Sequence, residues 1–365
     1  MKKNPFKFGS IVEGPYFTDR IHEIARVESI ISSANHLIVI SPRRFGKSSL
    51  IFKVVSQLDR PVISLDLQLI TGIEDFAAQL LKRVHRVYPF EKIRQFVQHF
   101  RIIPTVSINP VSNEVDIAFQ PSSSPLPMLE DVLNLVEKLS NEKKRAIVVF
   151  DEFQEIQQID GNLARQLRSV IQHHQHVNYV FLGSQESLIR NIFEKKKSPF
   201  YHFGMLMPLG KIPQKDFEAY LTDGFRDVTG TPEKISQAII GFSDCHPYYT
   251  QQLAFVVWEI LFQQDNPEDP ITQAIDELVR IHDMDYERIW NAFIKTDKKL
   301  LIALTISNQT PLSEAFYRKF DLGAPSTVYS SLKRLMQNGT ILKSEKGYGI
   351  DDPFFRQWIA QRRAQ

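Results

Sequence analysis

The sequence predicts an α/β fold: a parallel sheet with helices on both faces, then a helical domain and a winged helix. Three observations carry this. Short apolar runs alternate with helix-spaced stretches through the first half of the chain. A loop ending in Gly46-Lys47-Ser48 joins the first apolar run to a helix pattern. From Lys298 onward, three short helix patterns precede a small hairpin.

The clearest strands are residues 37–40, 61–67, 146–150 and 179–182, apolar enough to be buried on both faces. A helix is expected over 48–57. Between 104 and 120, Val106, Ile108, Val115, Ile117 and Phe119 alternate around a 109–113 turn, which predicts an inserted β-hairpin. It serves as decoration, as a partner contact or as an active-site lid. The breaker-rich segment 120–127 then leads to a helix starting near Met128. After Leu182 the chain turns helical over 214–222, 233–241, 248–263 and 269–296. The terminal hairpin is placed at 340–343 and 349–350, around 345–347. The expected domains are a core at 1–210, a helical lid at 211–294 and a winged helix at 295–365.

Bulk properties exclude several classes. No stretch approaches the roughly 18 unbroken apolar residues of a membrane span, and the basic N-terminus lacks the apolar core of a signal peptide. A single cysteine, Cys245, forms no internal disulfide and agrees with a reducing, cytoplasmic compartment. His173, His174 and His176 are read as a solvated helix end, so no transition metal is assigned. Net charge is +2, but residues 295–365 carry 12 Lys+Arg against 6 Asp+Glu, a basic module on a mildly acidic body.

Ser41, Pro42, Arg43, Arg44, Phe45, Gly46, Lys47, Ser48 and Ser49 match G-x-x-x-x-G-K-[ST] except that Ser41 replaces the first glycine. In that pattern backbone N–H groups wrap phosphate, the lysine reaches the β/γ-phosphates and the hydroxyl ligates Mg²⁺. The following helix aims its N-terminus at the anion. Serine is the milder loss, because the first glycine marks a tight turn whereas Gly46 lies where a side chain would meet nucleotide. The loop is therefore a phosphate-binding P-loop, and the sheet that of a P-loop NTPase.

Downstream, the apolar run 146–150 ends in Asp151-Glu152, the Walker B pattern. Asp151 then stands beside the Mg²⁺ shell and Glu152 orients and deprotonates the attacking water. In isolation the pair would equally cap the helix at 153–158. The run 179–182 ends in Gly183-Ser184-Gln185. Ser184 or Gln185 touches the γ-phosphate or the lytic water, or else Ser184 N-caps the helix at 186–193.

Pro42-Arg43-Arg44, Gly46-Lys47-Ser48-Ser49-Leu50, Phe150-Asp151-Glu152-Phe153-Gln154, Gly183-Ser184 and His246-Pro247-Tyr248-Tyr249 together resemble the archaeal-type ATPases of the STAND class, a branch related to AAA+ proteins. The likeness covers nearly the whole chain. It implies an ATP/ADP- and Mg²⁺-dependent hydrolase, with Phe17 to Arg20 as an entry motif near the adenine. His246 and Pro247 would lie near the nucleotide and sense its phosphates. The preference for ATP over GTP rests on this resemblance and on the lack of a guanine-reading N-K-x-D segment. Relatives commonly carry an arginine where His202 stands, and losing such a charge slows phosphoryl transfer on the order of 10³-fold. Arg43, Arg44 and Arg190 are the candidate substitutes. The expectation is a slow, switch-like ATPase; the alternative is a DNA-binding protein whose nucleotide is mainly structural.

Residues 324–336 fit the second helix of a helix-turn-helix, with Val328, Leu332, Leu335 and Met336 inward. Ser326, Thr327, Tyr329, Ser330, Lys333 and Arg334 face outward, and Lys343 and Lys346 flank the wing. These types suit DNA contacts, or the module packs on the protein or binds a protein partner.

Overall fold

The structure, a computed structural model, describes residues 3–108, 115–120, 124–264, 267–307, 311–344 and 347–364. The chain divides into two units. One holds Arg20–Arg43 and Lys47–Gly210; the other holds the residues up to Asp19, the tripeptide Arg44–Gly46 and everything from Lys211 onward.

The sheet of the first unit contains β1 (Leu37–Ile40), β2 (Val62–Asp66), β5 (Ala146–Asp151), β6 (Val177–Gly183) and β7 (Met205–Pro208), all parallel in the order β2-β5-β6-β1-β7. β1, β6 and most of β5 are buried on both faces, which is why they appear as unbroken apolar runs. The register sets Asp66 beside Asp151 and Ile40 beside Gly183, so the strand ends that carry polar residues lie along one edge. The expected insertion is a hairpin of β3 (Thr105–Ile108) and β4 (Val115–Ala118), paired antiparallel. It packs on helix Ile73–Val87, with Ile117 buried. Its 109–113 turn lies outside the described residues. The next helix starts at Leu126 rather than near Met128, with Pro127 in its first turn, where the missing N–H costs nothing.

The histidine cluster is not simply a solvated end. His173 is exposed, but the His174 ring sits between the Tyr179 hydroxyl (2.7 Å) and Asn134 Oδ1 (3.1 Å), and His176 Nδ1 lies 2.8 Å from Glu137. Among the described residues no group of three or more His, Cys, Asp or Glu could hold a metal.

In the second unit the expected single stretch 269–296 is broken. Pro270–Ile281 ends at His282, Asp283–Ala292 follows, and Lys295–Ile306 opens the next helix. No Gly or Pro stands at either break to mark it. Helices Glu314–Lys319 and Pro325–Gln337 and the hairpin of β8 (Ile341–Ser344) and β9 (Gly347–Ile350) complete the winged-helix pattern, closed by helix Pro353–Arg362. One continuous apolar cluster runs from Phe6 and Phe217 through Val257 to Leu332 and Trp358. Met336, expected in the buried stripe of Pro325–Gln337, is 38% exposed, and Ser331 takes the inward place. Lys346 lies outside the described residues. Among those described, no helix is long and apolar enough to cross a membrane.

Candidate functional site

The phosphate loop begins as a continuation of the sheet. The Ser41 N–H donates to Gly183 O (3.2 Å), extending the β1–β6 ladder by one bond, and the Ser41 hydroxyl donates to Pro42 O (3.2 Å). Ser41 is buried and its φ is not positive, so its backbone does not require glycine. The left-handed residues come later, at Arg44 (φ +66) and Gly46 (φ +86). No atom lies within 4 Å of a Cβ built on Gly46, so within the protein its requirement is conformational and the space above it is open. Helix Lys47–Val55 follows. Lys47 is only 6% exposed, and burial lowers its ammonium pKa against the pull of Glu152 and Asp151, which raise it.

At the neighbouring strand ends, Asp151 accepts from the Ser48 hydroxyl (2.7 Å) and from the Glu152 N–H (2.9 Å), while burial pushes its pKa up. Glu152 adopts φ +50, and its Oε2 accepts from the Ser184 hydroxyl and from Gln154 Nε2, each at 2.5 Å. Gln154 Oε1 in turn accepts from the Ser184 N–H (3.3 Å). Two strand ends are thus tied around one carboxylate. A Cβ on Gly183 would lie 2.0 Å from Ile189 Cγ1, so any larger residue before Ser184 would have to displace the Ile189 side chain. The cap position of helix Glu186–Phe193 is Gln185, with no side-chain cap bond; the Ser184 hydroxyl goes to Glu152 instead of capping.

A second cluster forms within the other unit. The Arg44 guanidinium lies 4.5 Å from the Tyr248 ring centroid and donates to the Tyr249 hydroxyl (3.2 Å), and the Phe45 ring meets the His246 ring at 4.8 Å. His246 is the N-cap of helix Pro247–Gln263, its Nδ1 accepting from the N–H groups of Tyr248 (3.2 Å) and Tyr249 (3.4 Å). That geometry fixes the neutral tautomer, and burial lowers the pKa to about 3. The donor expected for phosphate is therefore Nε2–H, which faces Asp351 Oδ1 at 3.5 Å. Neither atom has a hydrogen-bond partner among the described residues. Burial, then the charge of Asp352, pushes the Asp351 pKa up to about 7.

The other residues singled out from the sequence are scattered. Phe17 is half-buried, and Arg20 is buried at φ +69 with bonds to Glu23 (3.0 Å) and Gly210 O (3.0 Å). Pro42 and Ser49 are half-buried, and Pro247 occupies the first turn of its helix. Arg190 pairs with Glu186 in its own helix and with Glu194 at that helix's end, both at 2.8 Å. His202 is exposed at φ +53, and Arg43 is exposed. Sequence reasoning assigned no role to Gln154, Tyr249 or Asp352. Only the polar residue two places after the strand-end carboxylates could have drawn attention to Gln154.

Fold and site define a parallel α/β phosphate-loop protein with a C-terminal winged helix. Residues 17–253 match the family described as "ATPase domain predominantly from Archaea", and the chain belongs to that family. Residues 284–361 match the family described as "Probable winged helix domain". No curated protein matches the sequence. Among solved structures, the Walker-type ATPase paby2304 of Pyrococcus abyssi is similar at TM-score 0.67 and 17% identity, covering 94% of this chain and 96% of that one. The ADP form of the ORC2 protein of Aeropyrum pernix is similar at TM-score 0.51 and 12% identity, covering 94% and 93%. At these identities the likeness shows the fold alone.

The residues present fit a magnesium nucleotide. Ser48 and Asp151 bring two hard oxygens together, as Mg²⁺ prefers. Lys47 is a buried cation at a helix start, and the space over Gly46 is open.

Proposed function

We propose that this chain binds ATP and ADP through the loop Ser41–Ser49, hydrolyses ATP slowly and changes conformation with its nucleotide state, as a switch of the STAND type. Lys47 would meet the phosphates, Ser48 and Asp151 would hold Mg²⁺, and Glu152 would orient and deprotonate water. Bound Mg²⁺ would supply charge neutralisation to the phosphates. The observation that carries the reading is the junction of the two strand ends: Ser48 on Asp151, and Ser184 with Gln154 on Glu152. A carboxylate fixed from two sides is oriented before substrate arrives. Slow turnover is supported by His202 at the arginine position and by the pairing of Arg190 with Glu186 and Glu194. The lid is proposed at 211–294 and the winged helix at 295–365, the latter offering Ser326, Lys333 and Lys343 to a DNA or protein partner.

The test is nucleotide binding and phosphate release for the native chain beside Lys47→Ala and Glu152→Gln. The native chain should bind ATP and release phosphate below about one per second, under the range of ordinary phosphoryl-transfer enzymes. Lys47→Ala should lose binding, and Glu152→Gln should keep binding and lose release. Binding that is indifferent to Lys47 would sink the proposal.

A further inference from the structure

We infer that Tyr249 and Asp352 are positioning residues for the phosphate loop, holding Arg44 in the left-handed conformation that shapes it. The inference rests on the nucleotide-binding reading above and goes beyond it by assigning loop geometry to residues far along the chain.

Arg44 is a long side chain at φ +66, a region that L-residues other than glycine enter at a cost, so its surroundings must hold it there. Two contacts do so: the face of Tyr248 under the guanidinium and the Tyr249 hydroxyl that accepts from it. Phe45, buried against His246, fixes the next residue. Both tyrosines lie in the first turn of helix Pro247–Gln263, whose orientation the His246 cap sets.

The Asp352 carboxylate acts on Tyr249 and on Arg44 through its charge, and is itself held as the N-cap of helix Pro353–Arg362. Asp352 Oδ1 accepts from the N–H groups of Phe354 (2.8 Å) and Phe355 (3.0 Å), and Oδ2 accepts from the Tyr286 hydroxyl (3.1 Å). Three fixed donors leave this carboxylate little freedom. Against the cost of burial, the two tyrosines and then the negative charge of Asp352 favour the charged form of the Arg44 guanidinium. A loop freed from this strut would spend part of its time in other conformations, and apparent nucleotide affinity falls by that fraction.

The experiment is titration of a fluorescent ATP analogue into the full chain, native and with Tyr249→Phe, Asp352→Asn, Arg44→Gly and Lys47→Ala, with thermal melting as the fold control. Tyr249→Phe and Asp352→Asn should each weaken binding about three- to tenfold. Arg44→Gly enters the left-handed region without cost, so adding Tyr249→Phe to it should change binding no further. An equal loss in the Arg44→Gly background, or native affinity in Tyr249→Phe and Asp352→Asn, would overturn the inference while Lys47-dependent binding stood. Native binding that ignores Lys47→Ala would instead take down the nucleotide reading and the inference with it.

Discussion

The Ser184 hydroxyl donates to Glu152 Oε2 at 2.5 Å, joining the end of β6 to the carboxylate that follows β5. Because β5 and β6 are paired in parallel along their length, neither end can move without the other. In this structure the Ser184 hydroxyl is engaged by that carboxylate.

Ser184→Ala should therefore lower hydrolysis about ten- to a hundredfold while leaving nucleotide affinity nearly unchanged. Phosphate release and equilibrium binding, measured on the same preparation, separate the two. Equal losses in both would mean that Ser184 supports the fold and not the orientation of Glu152.

Gly183→Ala should cost stability. Its Cβ would meet Ile189 Cγ1 at 2.0 Å and Cδ1 at 2.3 Å, and Ile189 is fully buried in the core. Overpacking of this kind costs about 1–3 kcal/mol, readable as a shift in the urea midpoint. Adding Ile189→Ala should recover part of the clash; a purely additive loss would contradict it.

Acid should loosen the first unit through His36 and His174. Burial lowers both to about 4, and each ring is engaged as an acceptor: His36 Nδ1 takes the Tyr179 N–H and His174 Nδ1 takes the Tyr179 hydroxyl. Unfolded histidine binds its proton near 6.5, so the unfolded state holds more protons between about 6.5 and 4 and stability falls as pH drops through that window. Asp351, raised to about 7, contributes the opposite slope, with stability falling as pH rises from about 4 to 7. His174→Gln should therefore flatten the loss between pH 6.5 and 4 relative to the native chain. Melting temperatures at both pH values check it, and an unchanged difference would refute the assignment.

In the winged helix, Lys333 and Arg334 should behave differently although adjacent. Arg334 donates to both oxygens of the buried Asp297 (2.7 and 3.1 Å) and so joins two helices, whereas Lys333 is exposed. Arg334→Ala should destabilise by roughly 1–3 kcal/mol, because it leaves a buried carboxylate unpaired. Lys333→Glu should leave stability alone. If the module meets DNA, Lys333→Glu lowers affinity and reduces its salt dependence; affinity indifferent to both charge and salt would assign this face to a protein contact.

The sheet was legible because strands buried on both faces are written as unbroken apolar runs, and Gly46-Lys47-Ser48 because the loop's chemistry is local. What escaped depends on distance along the chain. Gln154 matters only because strand pairing brings Ser184 to it, and Arg44 meets Tyr249 across 205 residues. The break at His282 escaped because its cap is an ordinary backbone turn with φ −94 and ψ 4. Met336 was misplaced because positions 331 and 336 both border the stripe defined by 328, 332 and 335, and only the packed neighbours decide between them.

Ser41 is where the motif and the geometry part most clearly. A missing first glycine suggests a weakened loop, yet Ser41 has no left-handed φ, continues the ladder to Gly183 and is buried to 2% exposure. Glycine here would add backbone freedom to the unfolded chain and remove the hydroxyl's bond to Pro42 O, with no relief of strain in return. Ser41→Gly should thus leave nucleotide affinity within about twofold and lower stability by roughly 0.5–1 kcal/mol. Equilibrium titration and urea unfolding test both parts. A marked gain in affinity or turnover would show that the serine does restrain the loop.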